Sequence, residues 1–283
     1  MWSRRRGMLY ITGALILAAP CTAWVLSSYP KVAEAVAVDV SRNHTADTTT
    51  PAGLAQLAQR DPMALVELGR DRYQKDIREY RCVLVKQERL DGDLSPVQEV
   101  EVRYREAPRA IYMLWRKNAD QAARALYMDT PEFINEAGER LARVEPAGTI
   151  ARLLVSDLLV PIHGAQARRS SRRAIDECGF GATFDLLFQF NAIAAERGVL
   201  DLKYGGTGEV DGRPTFVLVR DLPYDNPEGP YPDARMLLHL DQEWLLPVAV
   251  FSYADHNEQT LLGSYVFTQV DLQPSFDATA FEF

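Results

Sequence analysis

The stretch Val97-Gln-Glu-Val-Glu-Val-Arg-Tyr-Arg105 decides the fold class. Val100, Val102 and Tyr104 alternate with Glu99, Glu101, Arg103 and Arg105, a period of two that predicts an antiparallel strand with one buried and one wet face. Upstream, Tyr80-Arg-Cys-Val-Leu-Val-Lys-Gln-Glu-Arg89 leads into a turn at Asp91-Gly92-Asp93, so the two segments form a hairpin. Downstream, Pro108 ends the alternation and Ala110-Ile-Tyr-Met-Leu-Trp115 begins another strand. Two short strands are expected near Ala123–Asp129 and Arg140–Glu145.

The second half repeats the pattern. Val199–Tyr204, Thr207–Val210, Pro214–Val219, Arg235–Leu240, Pro247–Ala254 and Leu261–Leu272 are candidate strands, with turns at Gly205-Gly206, Asp211-Gly212 and Asp241-Gln242. Four prolines between Leu222 and Asp233 predict a long loop. Helical spacing occurs three times: from Leu54 to Tyr73 with a fresh start at Asp61-Pro62, from Thr149 to Leu159, and from Ala182 to Ala195. This is not an alternating βαβ order. It predicts an α+β fold, a single strongly curved antiparallel sheet with about three helices covering its concave face.

The amino terminus is of another kind. Arg4, Arg5 and Arg6 precede an uncharged run from Met8 to Leu26, the pattern of a signal peptide or signal anchor. Ala33-Glu34-Ala35 offers a small-x-small cleavage site, so residues 1–35 are either removed or kept as an inner-membrane anchor through residues 8–26. In both cases the remainder faces the periplasm. Residues 36–53, short, polar and threonine-rich, read as a flexible linker, leaving 54–283 as one domain.

Bulk properties exclude several classes. The 283 residues are 47% hydrophobic, 25% charged and 10% aromatic, ordinary for a folded protein. Formal charge is −8, and removing residues 1–35, with Arg4, Arg5, Arg6, Lys31 and Glu34, leaves −11. Such an acidic body argues against nucleic acid as a partner. Three cysteines and four scattered histidines supply no metal-ligand spacing, and no cofactor motif is present. Cys82 and Cys178 are either a disulfide pair or two separate buried thiols. Arg168-Arg-Ser-Ser-Arg-Arg173 is a basic cluster or simply a solvated loop.

No phosphate loop, nucleophile elbow or His-Glu-x-x-His occurs, so a non-enzymatic role is expected. Glu99 and Glu101 read as solubilising charges on the wet strand face, and His239, within Leu-Leu-His-Leu, as a strand residue. Lys86-Gln-Glu-Arg89 gathers polar groups at a strand end, and a weaker alternative makes it the centre of an envelope hydrolase.

Several segments together resemble a known family. Tyr80-x-Cys82 with Lys86-Gln-Glu-Arg89, Arg103-Tyr-Arg-Glu-Ala-Pro-Arg-Ala-Ile-Tyr-Met-Leu-Trp115, Gly208-Glu-Val-Asp-Gly-Arg-Pro214, Leu238-His-Leu-Asp-Gln-Glu-Trp-Leu-Leu-Pro247 and Leu262-Gly-Ser-Tyr-Val-Phe267 are similar to a bacterial envelope family of unknown function. That family is grouped with the LolA/LolB lipoprotein-carrier superfamily. The resemblance implies a half-open β-barrel with helices lidding its concave face, sheltering a lipid or a lipoprotein acyl chain. It also implies a lid-latching arginine directly before a strand proline. Ala107 stands there, with Arg105 and Arg109 close by. An alternative use of the fold, as in RseB-type regulators, is an anchored sensor or scaffold holding an envelope protein partner.

Alternation nominates the groove-lining residues: Leu84, Val100, Val102, Tyr104, Ile111, Met113, Trp115, Phe216, Leu238 and Leu240. For each, plain core packing beneath the helices is the competing reading.

Overall fold

The computed structural model describes residues 47–48, 50–148, 156–277 and 279–283. The signal or anchor segment and most of the linker lie outside the described residues. So does the part of the expected Thr149–Leu159 helix up to residue 155. Among the described residues, no helix is long and apolar enough to cross a membrane.

The chain begins with two capped helices, α1 (Pro51–Arg60) and α2 (Pro62–Asp76). Thr50 Oγ1 accepts from Gly53 N at 3.1 Å and Asp61 Oδ1 from Ala64 N at 2.9 Å, each immediately before a proline. A side-chain acceptor followed by a residue that needs no amide partner starts a helix cheaply. The linker expected to reach residue 53 therefore ends earlier, at the Thr50 cap.

The strands follow: β1 (Glu79–Leu90), β2 (Asp93–Leu94), β3 (Gln98–Glu106), β4 (Arg109–Lys117), β5 (Ala122–Met128), β6 (Leu141–Pro146) and β7 (Leu158–Pro161). After helices α3 (Ala165–Ser170) and α4 (Phe180–Glu196) come β8 (Asp201–Val210), β9 (Arg213–Asp221), β10 (Arg235–Asp241), β11 (Pro247–Tyr253) and β12 (Leu261–Asp271). All join one antiparallel sheet in the order β7-β6-β5-β4-β3-β1-β12-β11-β10-β9-β8, with β2 pairing the end of β1. This is the curved, half-open α+β barrel that the alternation and the LolA/LolB resemblance predict. The longest strand, β1, sits at its centre between β3 and β12.

Two expectations are corrected. Leu158 and Leu159 belong to edge strand β7, not to a helix, because their backbone pairs with Val144 and Arg143 of β6. The two strands expected on either side of Gly205-Gly206 are one, β8, whose register against β9 shifts between Tyr204 and Gly206. A glycine at φ 112° absorbs the extra residue without ending the strand.

Helix α4 is seated on the sheet by aromatic rings. Phe180 lies 4.7 Å from Tyr80 and 4.9 Å from Phe267, and Tyr80 stacks on Tyr104 at 4.7 Å. Tyr80 Oη accepts from Phe180 N at 3.3 Å, capping the helix from the sheet. Gly179, at φ 102°, makes that approach possible, since a Cβ there would come within 2.0 Å of the Tyr80 hydroxyl. Helix α2 flanks α4 through Tyr73 and Phe184.

The outer face of β3–β5 is not simply wet. Tyr112, Ala110 and Leu126 pack with Phe133, Ala280 and Phe281, so the carboxyl-terminal residues strap that face. Glu101, expected to be solvated, is buried and paired with Arg103 at 3.0 Å and Arg116 at 2.7 Å.

Candidate functional site

Between the concave sheet face and helix α4 lies a cavity of about 250 Å³. Its wall draws on ten consecutive strands of the sheet, from Leu158 and Val160 of β7 through Val144 of β6, Ala125 of β5 and Met113 of β4 to Met236 of β10 and Arg220 of β9. Leu186, Leu187 and Phe190 of α4 close it from above. The lining is mainly aliphatic, and the volume exceeds the roughly 150 Å³ of an apolar cavity known to hold a benzene ring.

Of the residues nominated by alternation, Leu84, Val100, Met113 and Trp115 line this cavity. Val102, Tyr104, Ile111, Phe216, Leu238 and Leu240 are buried but do not contribute to its wall. Sequence reasoning singled out Lys86 and Glu88 but missed the small and aliphatic residues of β5–β7, the underside of α4, and the other polar groups.

Those polar groups form two clusters. In the first, Lys86, Gln98 and Tyr265 occupy paired positions on β1, β3 and β12. Lys86 Nζ donates to Glu88 Oε2 at 2.8 Å and to Ser171 Oγ at 3.1 Å. Glu88 also accepts from Tyr265 Oη at 2.7 Å, from Ser171 Oγ at 2.9 Å and from Arg172 N at 3.2 Å. Burial pushes the Glu88 carboxyl up, but the Lys86 charge and these donors outweigh it and hold the group below the usual range. Burial, reinforced by Glu88, drives the Tyr265 phenol well above its ordinary value.

Ser171, Lys86 and Glu88 have the outline of a nucleophile with a base, but their hydrogen bonds are spent on one another and on Tyr265 and Arg172. Glu88 is a weakened base, fully occupied as an acceptor, and Lys86 spends its charge on Glu88. The cluster ties the segment after α3 to the centre of the sheet. Arg109 adds a second tie at the other end of that segment, donating from Nη2 to the Asp176 carbonyl at 2.7 Å.

The second cluster is Arg220, Asp233 and Asn191, each no more than 2% exposed. Arg220 Nη2 donates to Asp233 Oδ1 at 3.1 Å, and Nη1 to Asn191 Oδ1 at 3.0 Å. The sequence reading missed Arg220, although a charge in phase with buried Phe216 and Leu218 was a signal for it.

Cys82 and Cys178 are free thiols in the structure. Burial drives the Cys82 thiol well up and the Cys178 thiol to about 12, so both stay protonated and unreactive at neutral pH. Among the described residues, no group of three His, Cys, Asp or Glu side chains could hold a metal ion.

No curated protein sequence matches this chain. Similar solved structures include MucB, at 17% identity over 76% of this chain and 61% of that one (TM-score 0.44). The Pseudomonas aeruginosa MucA/MucB complex is similar at 18% over 74% and 56% (TM-score 0.41). The chain thus spans about three fifths of the MucB chains it matches. The Mycobacterium tuberculosis lipoprotein LppX is similar at 15% identity over 74% of this chain and 93% of that one (TM-score 0.36). Residues 77–283 match the model of the family described as protein of unknown function DUF1571, and the chain belongs to that family.

Proposed function

We propose that this protein binds the acyl chain of a lipid or acylated protein in the cavity under α4, without catalysing a reaction, and that it does so in the periplasm. One observation carries the reading: a single hollow, mainly aliphatic, whose wall runs across ten strands of the sheet. Transferring a chain from water into such a wall gains ~0.8 kcal/mol per methylene, so ten buried methylenes supply on the order of 8 kcal/mol. No catalytic group is needed for that, and none of the polar clusters is arranged to act as one. The positive flank and apolar run at Arg4–Leu26 support the compartment.

The test is to purify the protein from its own host, extract it and identify bound lipid by mass spectrometry. Titration of the delipidated protein with cis-parinaric acid, fluorescent in apolar surroundings, follows. Acyl lipid at near one per chain together with saturable uptake of the probe is the expected result. A lipid-free protein that takes up no probe would overturn the proposal.

A protein partner is the second reading, favoured by edge strand β7. Leu158 and Leu159 are 42% and 55% exposed on a strand that is hydrogen-bonded on one side only among the described residues. An apolar open edge is a site for strand addition. This reading expects Leu159→Glu to abolish cross-linking in the envelope while bound lipid is unchanged.

A further inference from the structure

One residue lining the cavity carries a hydrogen-bond donor that no group among the described residues accepts. Arg220, 1% exposed, directs Nη1 to Asn191 and Nη2 to both oxygens of Asp233, at 3.1 and 3.3 Å. Its Nε is buried and has no partner among the described residues. A guanidinium N–H stripped of water and given no acceptor is costly, and folded proteins rarely leave one so. Here it belongs to a residue of a cavity wall, so an occupant can supply the missing acceptor.

Position and charge narrow the occupant further. Arg220 lies on β9, the last strand contributing to the wall, while the exposed Leu158 of β7 lies at the other limit. A polar end at one limit and aliphatic residues towards the other suit an amphiphile laid across the sheet. Asp233 already neutralises the Arg220 charge at contact distance. A second carboxylate beside Asp233 would be repelled in a site of low dielectric, whereas a neutral carbonyl oxygen accepts the Nε proton without adding charge.

We propose that Arg220 Nε is the head-group anchor of the cavity, donating to the carbonyl oxygen of an esterified or amide-linked acyl chain whose tail runs towards β7. The proposal rests on the acyl-chain reading above and adds to it the polar end and the orientation.

Displacement of cis-parinaric acid from the full chain tests it with three probes of equal tail length. These are monopalmitoylglycerol, its ether analogue 1-O-hexadecylglycerol, which lacks the carbonyl, and palmitate. The ester should bind about tenfold more tightly than the ether, the scale of one hydrogen bond to a charged group. Arg220→Lys, which keeps a cation for Asp233 but has no Nε, should bring ester and ether together. The wild-type ester-to-ether ratio decides the matter even if that variant does not fold. Equal ester and ether affinities in the wild type overturn the anchor while leaving the acyl cavity standing. Palmitate binding more tightly than the ester overturns the choice of a neutral carbonyl. If none of the three displaces the probe, the acyl-chain reading itself fails.

Discussion

The two faces of the sheet are built from the same strands and end in different states. On β4, Met113 and Trp115 line a hollow, while Ala110 and Tyr112, out of phase with them, lie in a filled cluster beneath Phe281. The outer face is covered by a carboxyl-terminal segment that follows the surface. Arg105 stacks on Phe281 at 4.6 Å, and Arg124 and Arg143 stack on Phe283 at 4.5 and 5.2 Å. The inner face is covered by α4, whose 17 residues make a stiff rod of roughly 25 Å. An irregular strap can follow a curved surface, whereas a rod laid across a concave one leaves a gap. The hollow therefore comes from the kind of cover, not from a shortage of apolar side chains.

The largest expected effect falls on the strap. Phe281 is buried among Tyr112, Leu126 and Phe133, and Phe281→Ala should cost about 4 kcal/mol, the range for a buried phenylalanine. In a domain of this size that lowers the melting temperature by roughly 10 °C. Uptake of the acyl probe at 20 °C should be unchanged. Loss of probe binding in a variant still folded at that temperature would show that the two faces are coupled, and the comparison would break.

A pH effect of slightly smaller size also belongs to the outer side. His239 is out of phase with Met236 of the cavity wall, packs edge-on against Phe251 and is linked to Thr215 Oγ1 at 3.0 Å. Burial lowers its pKa from 6.5 to about 4. The unfolded chain therefore takes up the proton first. Stability is full above pH 6.5, declines as pH falls towards 4 and levels off below it, a loss of about 3 kcal/mol. Glu88, on the cavity side, is held below its ordinary 4.5. Its contribution is lost only at lower pH, so the window between 6.5 and 4.5 isolates the histidine. Urea unfolding at pH 7.5 and 5.0 should show the decline in the wild type and not in His239→Gln; an equal slope in both refutes the assignment.

How much of this was legible follows from what a strand pattern encodes. The alternation of Val100, Val102 and Tyr104 states which face each residue occupies, and the sheet follows from it. It does not state what lies above that face. Tyr104 is covered by Tyr80 and the aromatic seat of α4, whereas Val100, in phase with it, borders the hollow. Leu158-Leu159 is too short a run to distinguish helix from strand, and its pairing with β6 decides. The acid Glu101 looked solvated because its partner Arg103 is itself held by the Ala280 carbonyl, 177 residues away along the chain. Ser171 meets Glu88 across 83 residues in the same way. Arg220, like Lys86 on β1, carried a local signal, a charge in phase with buried apolar residues, and such a charge is either a fault or a site.

The smallest effect is the sharpest test, because one substitution is made on both faces. Ala110 and Ala125 both sit on the β4–β5 hairpin and are nearly inaccessible to solvent, at 0% and 6% exposure. Ala110 is enclosed by the strap cluster, and Ala125 borders the cavity. Ala110→Leu forces three extra carbons into occupied space and should cost about 2 kcal/mol, with acyl binding retained. Ala125→Leu places the same carbons in empty space, so stability should change by less than about 1 kcal/mol while probe uptake is lost. The two variants together separate space that is hollow in solution from space that side chains refill. If Ala125→Leu is as costly as Ala110→Leu, α4 lies closer to the sheet than the structure has it, and the inner face is a core like the outer one.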